Sequence, residues 1–231
     1  MFDSKEIWDS YWKNTINKSF ISFNNPEHVK VYGGINNEPH ASMGLCSFLE
    51  PVRDLFKDGF TILDYGCGAG ILANVVAQRL TKFNYFGVEP TSQHGIERIN
   101  LAKNLFKSDM INFSFIDNTF YELYKTNFDC VTLISIFTHL KIEETYKILE
   151  RLLPFLENNK KTKIIFSCFL SDKYELLIPQ PNINENFYGV VKITKEQLYN
   201  FKKDRKIYIK HVCDFPATAE YVHSIFELGN E

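Results

Sequence analysis

The sequence predicts an α/β protein with a doubly wound, mostly parallel sheet of seven strands, helices on both faces and a C-terminal antiparallel hairpin. Apolar runs alternate with helical patterns between residues 61 and 170, which is typical of right-handed βαβ units. A glycine-rich loop follows the first run. Two strand-like runs near the end of the chain, residues 207–215 and 221–228, are joined too closely for a crossover and predict the hairpin.

The alternating part supplies five of the predicted strands and most of the helices. The strands are predicted over residues 61–63, 84–88, 111–116, 128–137 and 163–170. Helices are predicted over residues 41–57, 71–80, 142–156 and 194–204. A further helix is predicted after the second strand, with an apolar side formed by Ile96, Ile99, Leu101, Leu105 and Phe106. The near-continuous apolar run 128–137 is expected for a strand buried on both faces.

Two segments lie outside this alternation, although residues 1–231 are predicted to form one domain. Residues 1–40 carry a short amphipathic pattern and then a stretch rich in Asn, Gly and Pro. This segment is either a structural strap or a lid, and residues 41–231 form the predicted core. Residues 174–189 contain Pro179 and Pro181 and predict a long loop, a feature that is often functional.

Composition narrows the function classes. A net charge of −2 leaves no electrostatic footprint for nucleic acid. The five cysteines contain no CxxC pair, which argues against a zinc site or a disulfide framework. The charged N-terminus lacks the apolar core of a signal peptide, and no apolar run has the length of a membrane span. We therefore expect a cytoplasmic protein without metal, membrane or nucleic-acid partners.

The glycine loop is the strongest functional signal. Gly66, Gly68 and Gly70 follow the first strand at alternate positions and precede a helical pattern. Glycine allows positive φ and has no Cβ to keep a ligand from the backbone. The unpaired N–H groups of the helix start favour negative ligand groups. This arrangement predicts a nucleotide-like cofactor.

Acidic residues stand at the ends of the first three strands, where ligands bind in open parallel sheets. Glu89 is placed to accept hydrogen bonds from ribose hydroxyls, or it is a solvent-facing residue before Pro90. Asp117 is placed to accept from an adenine amino group, or it forms an ordinary Asx turn. Asp64 orients the loop, reaches an ammonium group or caps a backbone N–H.

The segments LDYGCGAG, VEP, IDN and FDCVTLISIFTHL together resemble the class I S-adenosylmethionine-dependent methyltransferases. The resemblance runs from about Leu45 to the C-terminus. It implies S-adenosylmethionine as cofactor and S-adenosylhomocysteine as product, with the three glycines beside the methionine part, Glu89 at the ribose and Asp117 near adenine N6. The further cofactor-binding candidates in these segments are Asp64, Cys67, Pro90, Asn118 and Ser135.

The sequence departs from the pattern of this family at two positions, and one other fold competes with it. Tyr65 replaces the aliphatic residue often found there, and Lys141 stands where a proline is frequent. Neither change affects the cofactor residues. A nicotinamide-binding fold is the alternative, but its G-x-G-x-x-G fingerprint needs a spacer that Gly66-Cys67-Gly68-Ala69-Gly70 lacks.

Methyl transfer from a sulfonium is an in-line displacement, so the enzyme mainly positions the acceptor. A hydroxyl acceptor benefits from a general base, and histidine titrates near neutral pH. His139 is the leading candidate, unless it caps the next helix or hydrogen-bonds the backbone. His40 is a weaker candidate. Tyr11, Tyr32 and Tyr188 are candidate acceptor-binding residues from the segments outside the alternation.

Aromatic and amide-rich segments without a basic surface favour a small polar acceptor. Abundant Asn, Lys and Ile suggests a bacterial genome rich in A and T. By analogy, we expect O-methylation of a sugar or a nucleotide-linked capsule precursor. The alternatives are a methyltransferase acting on RNA or protein and a non-catalytic nucleotide-binding module.

Overall fold

The computed structural model describes residues 55–68, 70, 72–73, 76–77, 80–91, 93–117, 119–177, 190–216 and 222–231. The predicted strap or lid, residues 1–40, and most of the first predicted helix lie outside the described residues. Residues 72–73 and 76–77 are helical, as the pattern after the glycine loop predicts. None of the helices in the described segments is long and apolar enough to cross a membrane.

One mixed sheet contains all the strands of the described segments. The strands are β1 (Thr61–Tyr65), β2 (Asn84–Pro90), β3 (Ile111–Ile116), β4 (Cys130–Leu133), β5 (Lys163–Leu170), β6 (Glu175–Leu177), β7 (Val190–Ile193), β8 (Ile207–Pro216) and β9 (Val222–Asn230). The helices with assigned bounds are α1 (Gln93–Leu105), α2 (Ile142–Asn158), α3 (Lys195–Asn200) and a 3₁₀ helix (Phe120–Lys125).

The strand order is β3-β2-β1-β4-β5, with every neighbour in this series parallel. Successive residues of β1 point to opposite faces, so Ile62 joins one buried core cluster and Leu63 joins the other. Ile99 of α1 packs in the cluster of Ile62, and Phe155 of α2 packs in that of Leu63. The predicted doubly wound architecture is therefore confirmed.

The C-terminal hairpin is also confirmed. β8 pairs antiparallel with β9, and β9 pairs antiparallel with β5. The pairing register of β8 shifts between His211 and Cys213, which marks a bulge in the outer strand.

Helix α3 is shorter than the helix predicted over 194–204, and three further details differ from the sequence prediction. β4 ends at Leu133 rather than at residue 137, because Ser135 has a φ of +58° and cannot continue a strand. Phe137 is nevertheless fully buried, which explains why the apolar run continues past the strand. Ile96 is 41% exposed and does not lie on the apolar side of α1.

The third difference lies around the predicted loop 174–189. β6 begins inside this segment, and β7 follows directly after it. The two strands pair antiparallel, and β7 pairs parallel with Phe169 and Leu170 at the end of β5. Neither strand is predicted from the sequence, because both are short and flank a stretch rich in Pro and Asn. Residues 178–189 lie outside the described residues.

We predict that Phe155→Ala lowers the free energy of unfolding by about 3–5 kcal/mol. The ring is 1% exposed and contacts Tyr124 and Phe128 at centroid distances of 4.8 and 5.4 Å. Urea unfolding followed by circular dichroism measures the change. Ile96→Ala, at an exposed position of α1, is the control and should change stability by less than about 0.5 kcal/mol. Equal losses in both variants would contradict this view of the core.

Candidate active site

The candidate site lies where the order of strands reverses. The chain runs outward from β1 to β2 and β3 and then returns to place β4 on the other side of β1. Ligands bind beside the carboxyl ends of the strands at such a switch point. The glycine loop follows β1 there, and residues 134–140 follow β4.

The glycine loop has the left-handed backbone that its sequence predicts. The φ angles of Gly66, Gly68 and Gly70 are +79°, +57° and +83°. The amides of Gly66 and Cys67 both donate to the carbonyl of Val88, at 2.8 and 3.1 Å. The Gly70 amide donates to the Cys67 carbonyl at 3.0 Å. The loop is therefore fastened to β2 by backbone hydrogen bonds.

The three glycines serve different purposes. A Cβ at Gly66 would overlap the Ile136 side chain, and one at Gly70 would lie 2.9 Å from both Phe106 and Phe113. The missing side chains of Gly66 and Gly70 thus allow Ile136, Phe106 and Phe113 of the same chain to pack against the loop. At Gly68 the nearest atom to an added Cβ is Glu89 Oε1, 3.8 Å away. The middle glycine is thus the one that leaves space beside the backbone.

Glu89 points into this site and not into solvent, so the alternative of a solvent-facing residue is wrong. It is 5% exposed, and its Oε1 accepts a 2.5 Å hydrogen bond from the Gly68 amide. Arg98 Nη1 of α1 lies 3.3 Å from the same oxygen. Burial raises the pKa of Glu89, while Arg98 and the Gly68 amide oppose that shift. The ribose role of Glu89 remains a prediction.

Asp64 is an anchor between strands. It is 4% exposed, accepts from the Tyr85 hydroxyl at 2.5 Å and accepts from the Thr132 hydroxyl at 2.8 Å. These partners belong to β2 and β4, so the carboxyl group joins the three strands that meet at the site. Burial raises its pKa to about 6, against the hydrogen bonds from both hydroxyls. Neither contact is the backbone cap that was one of its predicted roles.

Asp117 follows β3 and is exposed. Its Oδ1 accepts from the amide and the hydroxyl of Thr119, both at 2.7 Å, and these bonds lower its pKa. The residue therefore forms the local turn that was its alternative interpretation. Pro90 pairs with Ile116 across β2 and β3, so Asp117 stands beside the end of β2. The adenine role stays a prediction, and Asn118 lies outside the described residues.

The loop after β4 carries Ser135 and His139. The Ser135 amide donates to Ser167 Oγ of β5 at 2.8 Å, and its carbonyl accepts from the Thr138 hydroxyl at 3.1 Å. The Thr138 carbonyl accepts from the Val191 amide of β7 at 2.9 Å. His139 is half-buried, and its amide donates to the Ile136 carbonyl at 3.2 Å. β5 and β7 thus hold this loop in place.

The structure brings the two loops together through Gly66 and Ile136, and it brings Gly68 together with Glu89. Cys67 is buried, and burial raises the pKa of its thiol; its role in cofactor binding stays a prediction. His40, Tyr11, Tyr32 and Tyr188 lie outside the described residues. In the part of the chain that the structure describes, no group of three or more His, Cys, Asp or Glu side chains is arranged to hold a metal ion.

Sequence reasoning missed the residues that support this site. They are Tyr85 and Thr132 beside Asp64, Arg98 beside Glu89, and Ser167 beside Ser135. Each is a polar residue inside an otherwise apolar strand or a predicted helix, which is a weak signal. Their partners come from other elements, so no local spacing identifies them.

Three comparisons with known proteins show what this chain is similar to. A family model described as a methyltransferase domain matches residues 62–159. An uncharacterized methyltransferase of Alkaliphilus oremlandii is 24% identical over 234 residues, covering 99% of this chain and 94% of that protein. A ribosomal RNA small subunit methyltransferase C of Yersinia pseudotuberculosis is 30% identical over 112 residues, covering 48% of this chain and 28% of that protein.

A solved structure is similar over the full length. The crystal structure of magnesium protoporphyrin IX methyltransferase from Synechocystis PCC 6803, with SAM bound, has a TM-score of 0.62 at 15% identity. The match covers 100% of this chain and 99% of that one. The fold is thus the class I methyltransferase fold. The resemblance to S-adenosylmethionine-dependent methyltransferases is confirmed, and the comparisons support S-adenosylmethionine as the cofactor.

We predict that the stability of the wild type falls relative to Asp64→Asn as pH rises from 4 to 7. A carboxyl group whose pKa is raised on folding adds stability below its unfolded pKa of 3.8 and loses it as pH passes about 6. The relative change should be on the order of 2 kcal/mol, measured by urea unfolding at several pH values. Asp117→Asn is the control: the pKa of Asp117 is lowered from 3.8, so its contribution is lost only below that range and should change little between pH 4 and 7. A pH-independent difference for Asp64→Asn would contradict the assignment.

Proposed function

We propose that the protein is an S-adenosylmethionine-dependent methyltransferase that O-methylates a small polar acceptor such as a sugar or a nucleotide-linked capsule precursor. The methyltransferase class is supported by the family model and by the relative that covers nearly the whole chain. The acceptor and its oxygen atom are the proposed part.

The observation that carries the cofactor assignment is the space beside Gly68. The Gly68 backbone is left-handed, its missing Cβ leaves room, and its amide holds the buried Glu89 carboxylate at the edge of that room. A carboxylate there suits ribose hydroxyls, which are donors. Gly66, Gly68 and Gly70 would lie beside the methionine part, and Asp117 near the adenine. The residues present therefore fit the cofactor.

S-adenosylmethionine, when bound, supplies an electrophilic methyl group. The residues of this chain position the acceptor and remove its proton. His139 is the proposed general base because of its place in the loop after β4. Ile136 of this loop packs on Gly66 of the glycine loop, and the His139 amide donates to the Ile136 carbonyl. Ser135 lies in the same loop, and its left-handed backbone is held by Ser167 and Thr138. Such strained conformations cluster at active sites.

A small acceptor is favoured by the charge of the chain. With a net charge of −2, the protein lacks the excess of basic residues that binds a phosphate backbone. An RNA acceptor is the second candidate, because one relative is named as a ribosomal RNA small subunit methyltransferase. That match covers only 48% of this chain and 28% of that protein, so it supports the shared methyltransferase part more than the acceptor.

We predict that Gly68→Ala weakens S-adenosylhomocysteine binding at least tenfold in calorimetry, because the new methyl group enters the cofactor space. Its stability should fall by about 1–2 kcal/mol, since alanine is strained at positive φ. Gly59→Ala is the matched control. Gly59 has a φ of +88°, and an added Cβ meets nothing within 4 Å. The control should lose similar stability and keep its affinity.

Two results would count against the cofactor site. Wild-type protein that gives no heat with millimolar S-adenosylhomocysteine would refute the cofactor assignment. Equal loss of affinity in Gly68→Ala and Gly59→Ala would show that backbone strain, and not blocked space, causes the effect.

The acceptor is identified by a mass-shift screen. Purified protein and S-adenosylmethionine are incubated with a panel of sugars, sugar nucleotides and short RNAs, and the products are searched for the mass of an added methylene. Methylation of a sugar or sugar nucleotide supports the proposal. Methylation of RNA alone would replace it with the second candidate.

We predict that His139→Ala lowers turnover of the acceptor found in that screen by about 10²–10⁴-fold, the range of general base catalysis. The affinity for S-adenosylhomocysteine should stay within twofold of wild type, because Gly68 and Glu89 are unchanged. His211→Ala, in the exposed His211–Asp214 pair of β8, is the control. Unchanged turnover in His139→Ala would exclude this residue as the base.

A further inference from the structure

We propose that Arg98 is a positioning residue that keeps the cofactor-binding carboxylate of Glu89 ionised and correctly oriented. This inference rests on the proposed function, since it concerns the same site. It adds a residue that belongs to none of the loop segments on which the resemblance depends, and that residue comes from the middle of α1.

Geometry places Arg98 at the carboxylate. Its Nη1 lies 3.3 Å from Glu89 Oε1, and the two side chains are 17% and 7% exposed. The Gly68 amide reaches the same oxygen. The Gly68 amide and the Arg98 guanidinium therefore both donate to Oε1, and together they restrict the orientation of the Glu89 carboxylate.

The surroundings explain why a cation is needed there. Burial raises the pKa of Glu89. The charge of Asp64 and that of Glu89 oppose each other, since Glu89 contributes to the raised pKa of Asp64. Arg98 supplies the opposing positive charge. Among the described residues, the other groups that the charge of Glu89 affects are acidic or neutral and carry no positive charge. They are Asp64, Tyr65, Cys67 and Tyr85.

The ionised state matters because ribose hydroxyls are hydrogen-bond donors. A carboxylate accepts through both oxygens, whereas a protonated carboxyl group is itself a donor at one of them. Hydrogen bonds to an ionised acceptor are also roughly twice as strong as neutral ones. Loss of Arg98 should therefore weaken cofactor binding most where Glu89 becomes protonated, at the acidic end of the accessible pH range.

The test is calorimetric titration of S-adenosylhomocysteine, which carries no sulfonium charge, between pH 5.5 and pH 9. Arg98→Met should raise the Kd several-fold at the acidic end, because the pKa of Glu89 rises when the positive charge is removed, and the difference should narrow as pH rises. Arg98→Lys restores a cation and should return the pH profile towards that of the wild type. Asp64, with a pKa of about 6, titrates in the same range and its charge interacts with Glu89. The comparison is therefore repeated in an Asp64→Asn background, where the pH-dependent difference between arginine and methionine at position 98 should persist.

Two controls separate charge from structure. Arg205→Met removes an arginine that pairs with Glu150 and packs on Phe201, and it should leave binding unchanged. In a Glu89→Gln background, Arg98→Met should cause no further loss, because the charge on which Arg98 acts is absent. If Arg98→Met does not fold, Arg98→Gln replaces it, since glutamine keeps a donor but no charge.

A loss of affinity that is equal at all pH values, or that Arg98→Lys does not rescue, would overturn the role of Arg98. Additive losses for Arg98→Met and Glu89→Gln would do the same. These outcomes all require that the wild type binds S-adenosylhomocysteine. Failure of the wild type to bind is a different result, which overturns the proposed function itself.

Discussion

The hydrogen bonds between the glycine loop and β2 are the constraint on which the site depends. Gly66, Gly68 and Gly70 have left-handed backbone, which interrupts regular hydrogen bonding, so neighbouring backbone must hold them. The Val88 carbonyl accepts from Gly66 and Cys67, and the next residue, Glu89, accepts from Gly68. Two consecutive residues of β2 thus set the shape of the loop and place a carboxylate beside it.

Three acidic residues at neighbouring strand ends differ in environment, and this difference decides what each can do. Asp64 is buried among hydroxyl donors and links three strands. Glu89 is buried beside a guanidinium and faces the space at Gly68. Asp117 is exposed and forms a local turn with Thr119. Residue type and strand position are similar in all three, whereas burial and partners are not.

The fold was largely predictable because its signals are local. β3 and β5 have the predicted bounds, and α2 begins at the predicted residue, since apolar periodicity and turn residues mark them. β4 was predicted too long because an apolar run describes burial and not backbone angle. The left-handed Ser135 ends the strand while Phe137 remains in the core.

The candidate site was predictable only in part, for a related reason. The glycines and acids lie in sequence patterns, so their positions follow from the order of strands. Arg98, Tyr85 and Ser167 act through partners that are distant in the chain, and only the folded structure brings them together. Whether a carboxylate is buried with a cation or exposed in a turn likewise depends on tertiary packing.

The contact between Ile136 and Gly66 has a consequence for how this enzyme could diversify. The loop after β4 is a natural place to vary when a new acceptor is selected, yet Ile136 rests directly on the glycine loop. A larger side chain there would displace the loop that defines the space at Gly68. Under the proposed function, a change of acceptor and retention of the cofactor are therefore mechanically linked through Ile136, and variants with new substrates should accumulate changes around this residue while conserving it.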